Sequence, residues 1–256
     1  MRRSRANRNP GLTGKQMIDK PMAPSGQEAE LRGTPLVRYN CVVHNAIRDD
    51  DSSLHEHLGR SLWDSEEAAT LLFADGAPVP PTLATRALCH WNDRFVTVLF
   101  EGRCATLRYA PAGTPTDPAT GKTQKLWDLS DVFEFFVIPD LRNRSEYREF
   151  QVSPDGRWFD AAISGEGSNR HADTRWDSHS RFESLVGTDD VQIWKAGMEI
   201  PWTALDIIPR KGLQVLGNFY RATGKFHGDE LMAWSPTGYG ERAFHRTEKY
   251  GIIQLS

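Results

Sequence analysis

The sequence predicts an all-β protein, an antiparallel β-sandwich with jelly-roll or immunoglobulin-like layers and only short helical turns. Three observations carry this reading. Short runs rich in Val, Ile, Phe, Tyr and Trp recur along the chain, separated by turns bearing Gly, Pro, Asn and Asp. No long stretch keeps a helical period. Phe133, Phe135 and Val137 alternate with Val132, Glu134 and Phe136, which is the two-residue period of a strand.

Residues 1–34 are polar, basic and rich in Gly and Pro, and read as a flexible tail before a single domain over residues 35–256. Strand signals open at residues 35–43, and Asp49, Asp50, Asp51, Ser52 and Ser53 then form a loop. Residues 61–73 read as a helical turn leading into a strand. Strands follow at 83–90, 95–101 and 106–109, the first two joined by the hairpin turn Trp91-Asn92-Asp93-Arg94. After a Pro/Gly/Thr loop at 111–123 come strands at 131–137, 147–152 and 158–163, the last entered through Pro154-Asp155-Gly156. Residues 164–180 are polar and read as a surface loop, Gly165-Glu166-Gly167-Ser168 included. Strands at 191–200, 215–222 and 251–255 complete the set, and Pro201 starts one helical turn through Trp202 and Leu205.

Composition bounds the function. A chain of 256 residues can bury a substantial core, and a net charge of −3 gives no general electrostatic attraction for nucleic acid or membranes. Eight tryptophans are many for this length, enough to supply both core and flat binding platforms. Cys41, Cys89 and Cys104 form neither a disulfide framework nor a zinc pattern, and read as free thiols. Arg2, Arg3, Arg5 and Arg8 are not followed by the apolar stretch of a secretory signal, so the chain as given reads as cytoplasmic, with export and signal removal as the alternative.

No nucleophile elbow and no phosphate-binding Gly loop is present. Glu134 with Glu149 or Asp160 could form a carboxylate pair of the glycosidase kind. By pattern alone Glu134 is an acid on a solvated outer face or a partner of Arg148; a carboxylate there could also accept two hydroxyls of a ligand. His55, His57, His171 and His179 could ligate a transition metal, although no acid or Cys stands at a fixed zinc offset from them.

The strand Asp131-Val132-Phe133-Glu134-Phe135-Phe136-Val137 is followed by Tyr147 to Val152, Gly156-Arg157-Trp158 and Met198-Glu199-Ile200-Pro201-Trp202. Then come Gly217-Asn218-Phe219-Tyr220-Arg221, Trp234-Ser235-Pro236, Phe244-His245-Arg246 and Tyr250-Gly251. That order resembles the family 9 carbohydrate-binding modules, β-sandwiches that hold a sugar between two aromatic rings. The resemblance implies stacking rings at Trp127 and Phe244, a hydroxyl-binding acid at Glu134 and an acidic strand start at Asp131. It further places Gln151, Asn218, Arg221, His245 and Arg246 in the sugar site, with a structural role as the alternative for Asn218 and Arg221. The chain departs from the family pattern at Phe244, where a Trp is expected, at Gln151, where an Arg is expected, and at Thr247, where a Pro is expected. The implied function is non-catalytic sugar recognition with no required cofactor. Structural calcium, as relatives hold, could be bound by Asp128, Asp131 and Asp140 or by Asp49, Asp50 and Asp51. Two alternatives stay open: a small-molecule enzyme using the same cleft, or a haem-binding electron-transfer subunit of related fold with Met198 and Lys225 or Lys249 as ligands.

Overall fold

The computed structural model describes residues 43–187, 192–223, 231–240 and 243–256; the expected tail, the strand start at 35–42, Cys41 and Lys225 lie outside these. In chain order the strands are β1 (Val43–Arg48), β2 (Ala69–Thr70), β3 (Leu72–Phe73), β4 (Thr85–Trp91), β5 (Phe95–Cys104), β6 (Val132–Ile138) and β7 (Tyr147–Val152). They continue as β8 (Trp158–Ser164), β9 (His171–Asp173), β10 (Arg181–Val186), β11 (Gln192–Pro201), β12 (Gln214–Ala222), β13 (Met232–Ala233) and β14 (Gly251–Leu255). Two short α-helices, α1 (Leu54–Gly59) and α2 (Leu126–Leu129), and several single 3-10 turns make up the helical content among the described residues.

The strands form one hydrogen-bonded path, β10-β11-β5-β4-β1-β14-β12-β6-β7-β8-β9. Five strands separate β11 from β6 on it, which in a flat sheet would hold them about 29 Å apart. Yet Phe133 of β6 stacks on Trp194 of β11 with ring centroids 3.7 Å apart, so the sheet curls back upon itself. Phe100 of β5 stacks on the same Phe133 at 4.9 Å. Phe135, Phe150 and Phe219 from one half and Ala87, Ala196 and Met198 from the other fill the remaining interior.

The sheet is mixed, which corrects the expectation of a wholly antiparallel one. Strand β1 runs parallel to β14 (Val43↔Ile252 to Ala46↔Leu255) and then parallel to β4 (Ile47↔His90, Arg48↔Trp91). It is the splice between the two halves. Parallel partners far apart in sequence are joined by no tight turn, so they leave no local signal.

Three further differences have local causes. Residues 106–109 form no strand: the Arg108 amide donates to Asp131 Oδ2 at 3.2 Å and its carbonyl accepts from Ser130 Oγ at 2.9 Å, which fastens this segment to the start of β6. The expected loop at 164–180 contains β9, a three-residue edge strand with exposed side chains and hence no apolar pattern. Strand β10 was likewise unforeseen, since Arg181, Glu183 and Ser184 break its hydrophobicity. By contrast β7 and β14 keep the expected bounds, and Pro201 caps the turn Trp202–Leu205 from the position before it.

Outside β4 and β5 lies α1. Ser53 caps it reciprocally: its Oγ accepts the Glu56 amide at 3.3 Å, and Glu56 Oε2 accepts the Ser53 amide at 2.7 Å. Leu54 and Leu58 then pack on Leu88 and Leu99. Gly197 of β11 makes this approach possible, because a Cβ there would stand 2.5 Å from Leu54 Cδ1.

Arg221 is fully buried against the interior face of β12, opposite Phe133 in register. Its Nη1 donates to the carbonyls of Leu83 and Arg103 and to Thr85 Oγ1 at 2.9–3.1 Å, and its Nη2 to Cys104 Sγ at 3.2 Å. Arg221→Ala therefore strips several buried acceptors of their donor. Its expected cost is about 3 kcal/mol or more, read as a lowered urea midpoint with an unchanged slope.

Candidate functional site

The outer face of β6, β7 and β8 carries a concave site. Register fixes which residues share it: Glu134 faces Gln151, Phe136 faces Glu149, Gln151 faces Phe159 and Glu149 faces Ala161. All of them line one cavity of about 320 Å³. Its walls are Trp127 from α2, Arg170, Ala172 and Thr174 from around β9, and Ala243, Phe244 and His245. A neighbouring depression of about 410 Å³ shares Arg170 and His245 and adds Arg144, Tyr147 and Glu166.

Each ring is held differently. Lys125 adopts a left-handed conformation (φ 54°) that starts α2, and buried Leu126 anchors the turn so that Trp127 stands half-buried at the rim. Trp127 meets Phe159 edge-on at 5.5 Å. Phe244 is 7% exposed and stacks on Tyr220 at 4.0 Å. The Phe244 carbonyl accepts from Tyr220 Oη at 3.0 Å and Tyr250 Oη at 2.9 Å, so this ring is rigidly placed. His245 Nδ1 shares a 2.7 Å hydrogen bond with Tyr147 Oη.

The floor is acidic and almost dry. Glu134, Glu149 and Gln151 are 3%, 5% and 1% exposed. Gln151 Nε2 donates to Glu149 Oε1 at 2.6 Å and lies 3.4 Å from Glu134 Oε2, while Gln151 Oε1 is buried with no hydrogen-bond partner. Burial pushes Glu149 up to about 7, against the opposing pull of Gln151 and Arg170. Burial, and then the charge of Glu149, raises Glu134 well above the ordinary carboxylate range. Two buried acids this close titrate as a pair and hold a proton near neutrality. A solvated outer-face acid at 134 is thus ruled out, and Arg148 faces Val137 rather than Glu134.

Of the residues expected in a sugar site, Trp127, Glu134, Gln151, Phe244 and His245 meet at this cavity. The other four are placed elsewhere. Arg221 faces the interior, since strand alternation sends it to the side opposite Tyr220 and Glu134. Asn218 shares the cavity's side of β12, but its Nδ2 donates to the Ser235 carbonyl and its Oδ1 accepts the amides of Ser235 and Phe219. Asp131 is buried against the Arg108 backbone. Arg246 donates to the carbonyls of Thr237 and Tyr239 at 2.9 and 3.0 Å, tying down that loop.

The expected calcium ligands do not converge. Asp131 and Asp140 flank opposite ends of the seven-residue β6, and Asp140 pairs with Arg142 at 2.9 Å. Asp50 pairs with Arg48, and Asp49 turns toward histidines instead. His55, His171 and His179 are exposed and stand on separate elements. Asp160 points away from Glu134 into an ion pair with fully buried Lys122, leaving Glu149 as the acid beside Glu134. Met198 is fully enclosed in the interior and Lys249 is exposed, so this pair frames no haem cleft.

Phe136, Phe159 and Arg170 were not foreseen as site residues. The first two are legible in the alternation of β6 and β8, whereas Arg170, between a 3-10 turn and β9, has no sequence signal.

No protein-family model and no curated protein matches the chain. Solved structures do. A candidate carbohydrate-binding protein from Bacteroides uniformis superposes with a TM-score of 0.57 at 17% identity, over 84% of this chain and 99% of its own. Two structures of a family 9 carbohydrate-binding module from Caldicellulosiruptor kristjanssonii, in complex with cellotriose and with glucose, give TM-scores of 0.53 and 0.51. Each is 12% identical over 84% of this chain, and over 94% and 96% of its own length respectively. The chain has the fold of the family 9 carbohydrate-binding modules. In this family 9-like fold the cavity lies on the outer face of one half of the curled sheet, with its acids at the centre of that face.

The acid pair ties stability to pH. Both folded-state values lie above the ordinary 4.5, so the native state keeps protons that the unfolded chain has released. This contribution is intact below pH ~4.5 and is lost as pH rises through about 7. Between pH 5 and 8 the wild-type Tm should therefore fall relative to that of Glu149→Gln, as thermal melts of the two proteins would show.

Proposed function

We propose that the protein binds a saccharide, without cleaving it, in the cavity over β6, β7 and β8. The observation that carries this reading is the meeting of half-buried Trp127 and rigid Phe244 with the dry Glu134–Gln151–Glu149 floor. A pyranose has an apolar C–H face and a rim of hydroxyls, and this lining offers a counterpart to both. The ring faces take the C–H surface. A proton retained on the acid pair lets it donate one hydrogen bond and accept others, and the unpartnered Gln151 Oε1 accepts one more. The volume suits a small ligand. The fold shared with modules crystallised with cellotriose and glucose supports the reading by analogy. In it the two halves of the curled sheet act as the layers of a sandwich, and recognition runs through side chains, with calcium taking no part. Among the described residues no helix is long and apolar enough to cross a membrane.

Calorimetry of the full chain against glucose, cello-oligosaccharides and a wider glycan panel, with and without EDTA, tests this. We expect saturable binding that survives EDTA and that Trp127→Ala weakens about tenfold or more, with little change in Tm. A blank across the panel, or undiminished binding by Trp127→Ala, overturns the proposal.

The acid pair favours a second reading, an enzyme in the same cleft. A carboxyl protonated near neutrality is what general-acid catalysis needs, and Glu149 is raised to about 7. Saturable turnover of a glycoside, abolished in Glu134→Gln while binding persists, would establish it over plain recognition.

A further inference from the structure

The half of the sheet formed by β4, β5 and β11 has an outer face of its own, and it holds a second polar cluster under α1. Asp49 follows β1, His57 is on α1, and His90 lies on β4 two positions beyond Leu88, on the face that α1 covers. One ligand atom from each lies within 4.8 Å of the others. Asp49 Oδ2 is 3.9 Å from His57 Nε2 and 3.5 Å from His90 Nδ1, and the two imidazole centroids are 4.4 Å apart.

These separations are too long for strong hydrogen bonds. They are close to what a shared ion requires, since ligands 2.0–2.1 Å from a tetrahedral zinc stand about 3.3 Å from one another. Two further facts point to a ligand. His90 Nδ1 is buried and has no hydrogen-bond partner. Asp49 is oriented by its other oxygen: Oδ1 accepts the amides of Asp51 and Ser52 at 3.1 and 3.0 Å, which turns Oδ2 toward the histidines. Outer hydrogen bonds that fix a ligating carboxylate are a usual part of a metal site. The nearby Arg60 guanidinium, 3.9 Å from Asp49 Oδ2, is 61% exposed on its side chain and can swing into solvent.

We propose that Asp49, His57 and His90 form a binding site for a divalent transition metal of the zinc class, with the fourth position left to water. Two imidazoles and one carboxylate suit zinc rather than calcium, which takes hard oxygens. The ion would clamp the loop after β1 and helix α1 onto β4, on the face of the molecule opposite the saccharide cavity.

The test uses the full chain stripped with EDTA and desalted. Titration with zinc chloride by calorimetry should show one equivalent bound, with a rise in Tm, and cobalt(II) should give the intense visible absorption of a four-coordinate site. His90→Gln and Asp49→Asn, each checked for native circular dichroism, should weaken zinc binding about a hundredfold and abolish the cobalt bands. His55→Ala, on the exposed side of the same helix, and Glu134→Gln, in the saccharide cavity, should bind zinc as the wild type does. The proposal is overturned if zinc binds no tighter than about 100 μM, if His90→Gln binds undiminished, or if His55→Ala loses as much affinity as His90→Gln.

Discussion

Seven consecutive residues, Val132 to Ile138, are all buried, on both faces of β6, so one strand needs two different coverings. On the inner side Phe133 is sandwiched between Phe100 and Trp194, and this stack decides how far the sheet must curl. On the outer side the covering comes from α2, β9 and the turn at Ala243–His245, which do not close completely. The cavity is what they leave. Site and core are therefore two sides of the same strand, and a shift in the aromatic stack would move Glu134 with it. Arg221 reinforces the arrangement from within by joining β12 to the backbone at the ends of β4 and β5.

The outer covering encloses two carboxylates where an apolar pair would pack at lower cost. Burial raises the proton affinity of both Glu134 and Glu149, the charge of Glu149 raises that of Glu134 further, and the pair weakens the fold as pH rises. Gln151 lowers that cost with a single amide group shared between them. Residues that strain a fold without adding to its packing are characteristic of sites that act on something else. The cluster of Asp49, His57 and His90 has the same character on the other half of the sheet.

Much of the fold was legible because its signals are local. The alternation of β6, the turn before β8 and the aromatic runs of β7 and β12 each fix a strand on their own. The site was half legible. Glu134, Gln151 and Trp127 follow from strand parity and family order, but parity also sends Arg221 inward, and only pairing with Phe133 reveals that. Asn218 and Arg246 are polar residues consumed by backbone groups of loops, and no sequence pattern distinguishes such a role from ligand contact. Long-range pairing was the least readable: Asp49, His57 and His90 come from three elements whose meeting depends on β1 lying beside β4.

That placement of β1 has a mechanical corollary. Because β1 and β14 run in the same direction, with Val43 beside Ile252 and Ala46 beside Leu255, the chain enters at one end of the pair and leaves at the other. Tension applied through the two ends would drag these strands past each other lengthwise, loading their hydrogen bonds together in shear. Antiparallel terminal strands would instead peel apart one bond at a time. The splice that joins the halves of the sheet would thus resist such a pull more strongly than a strand pair that unzips.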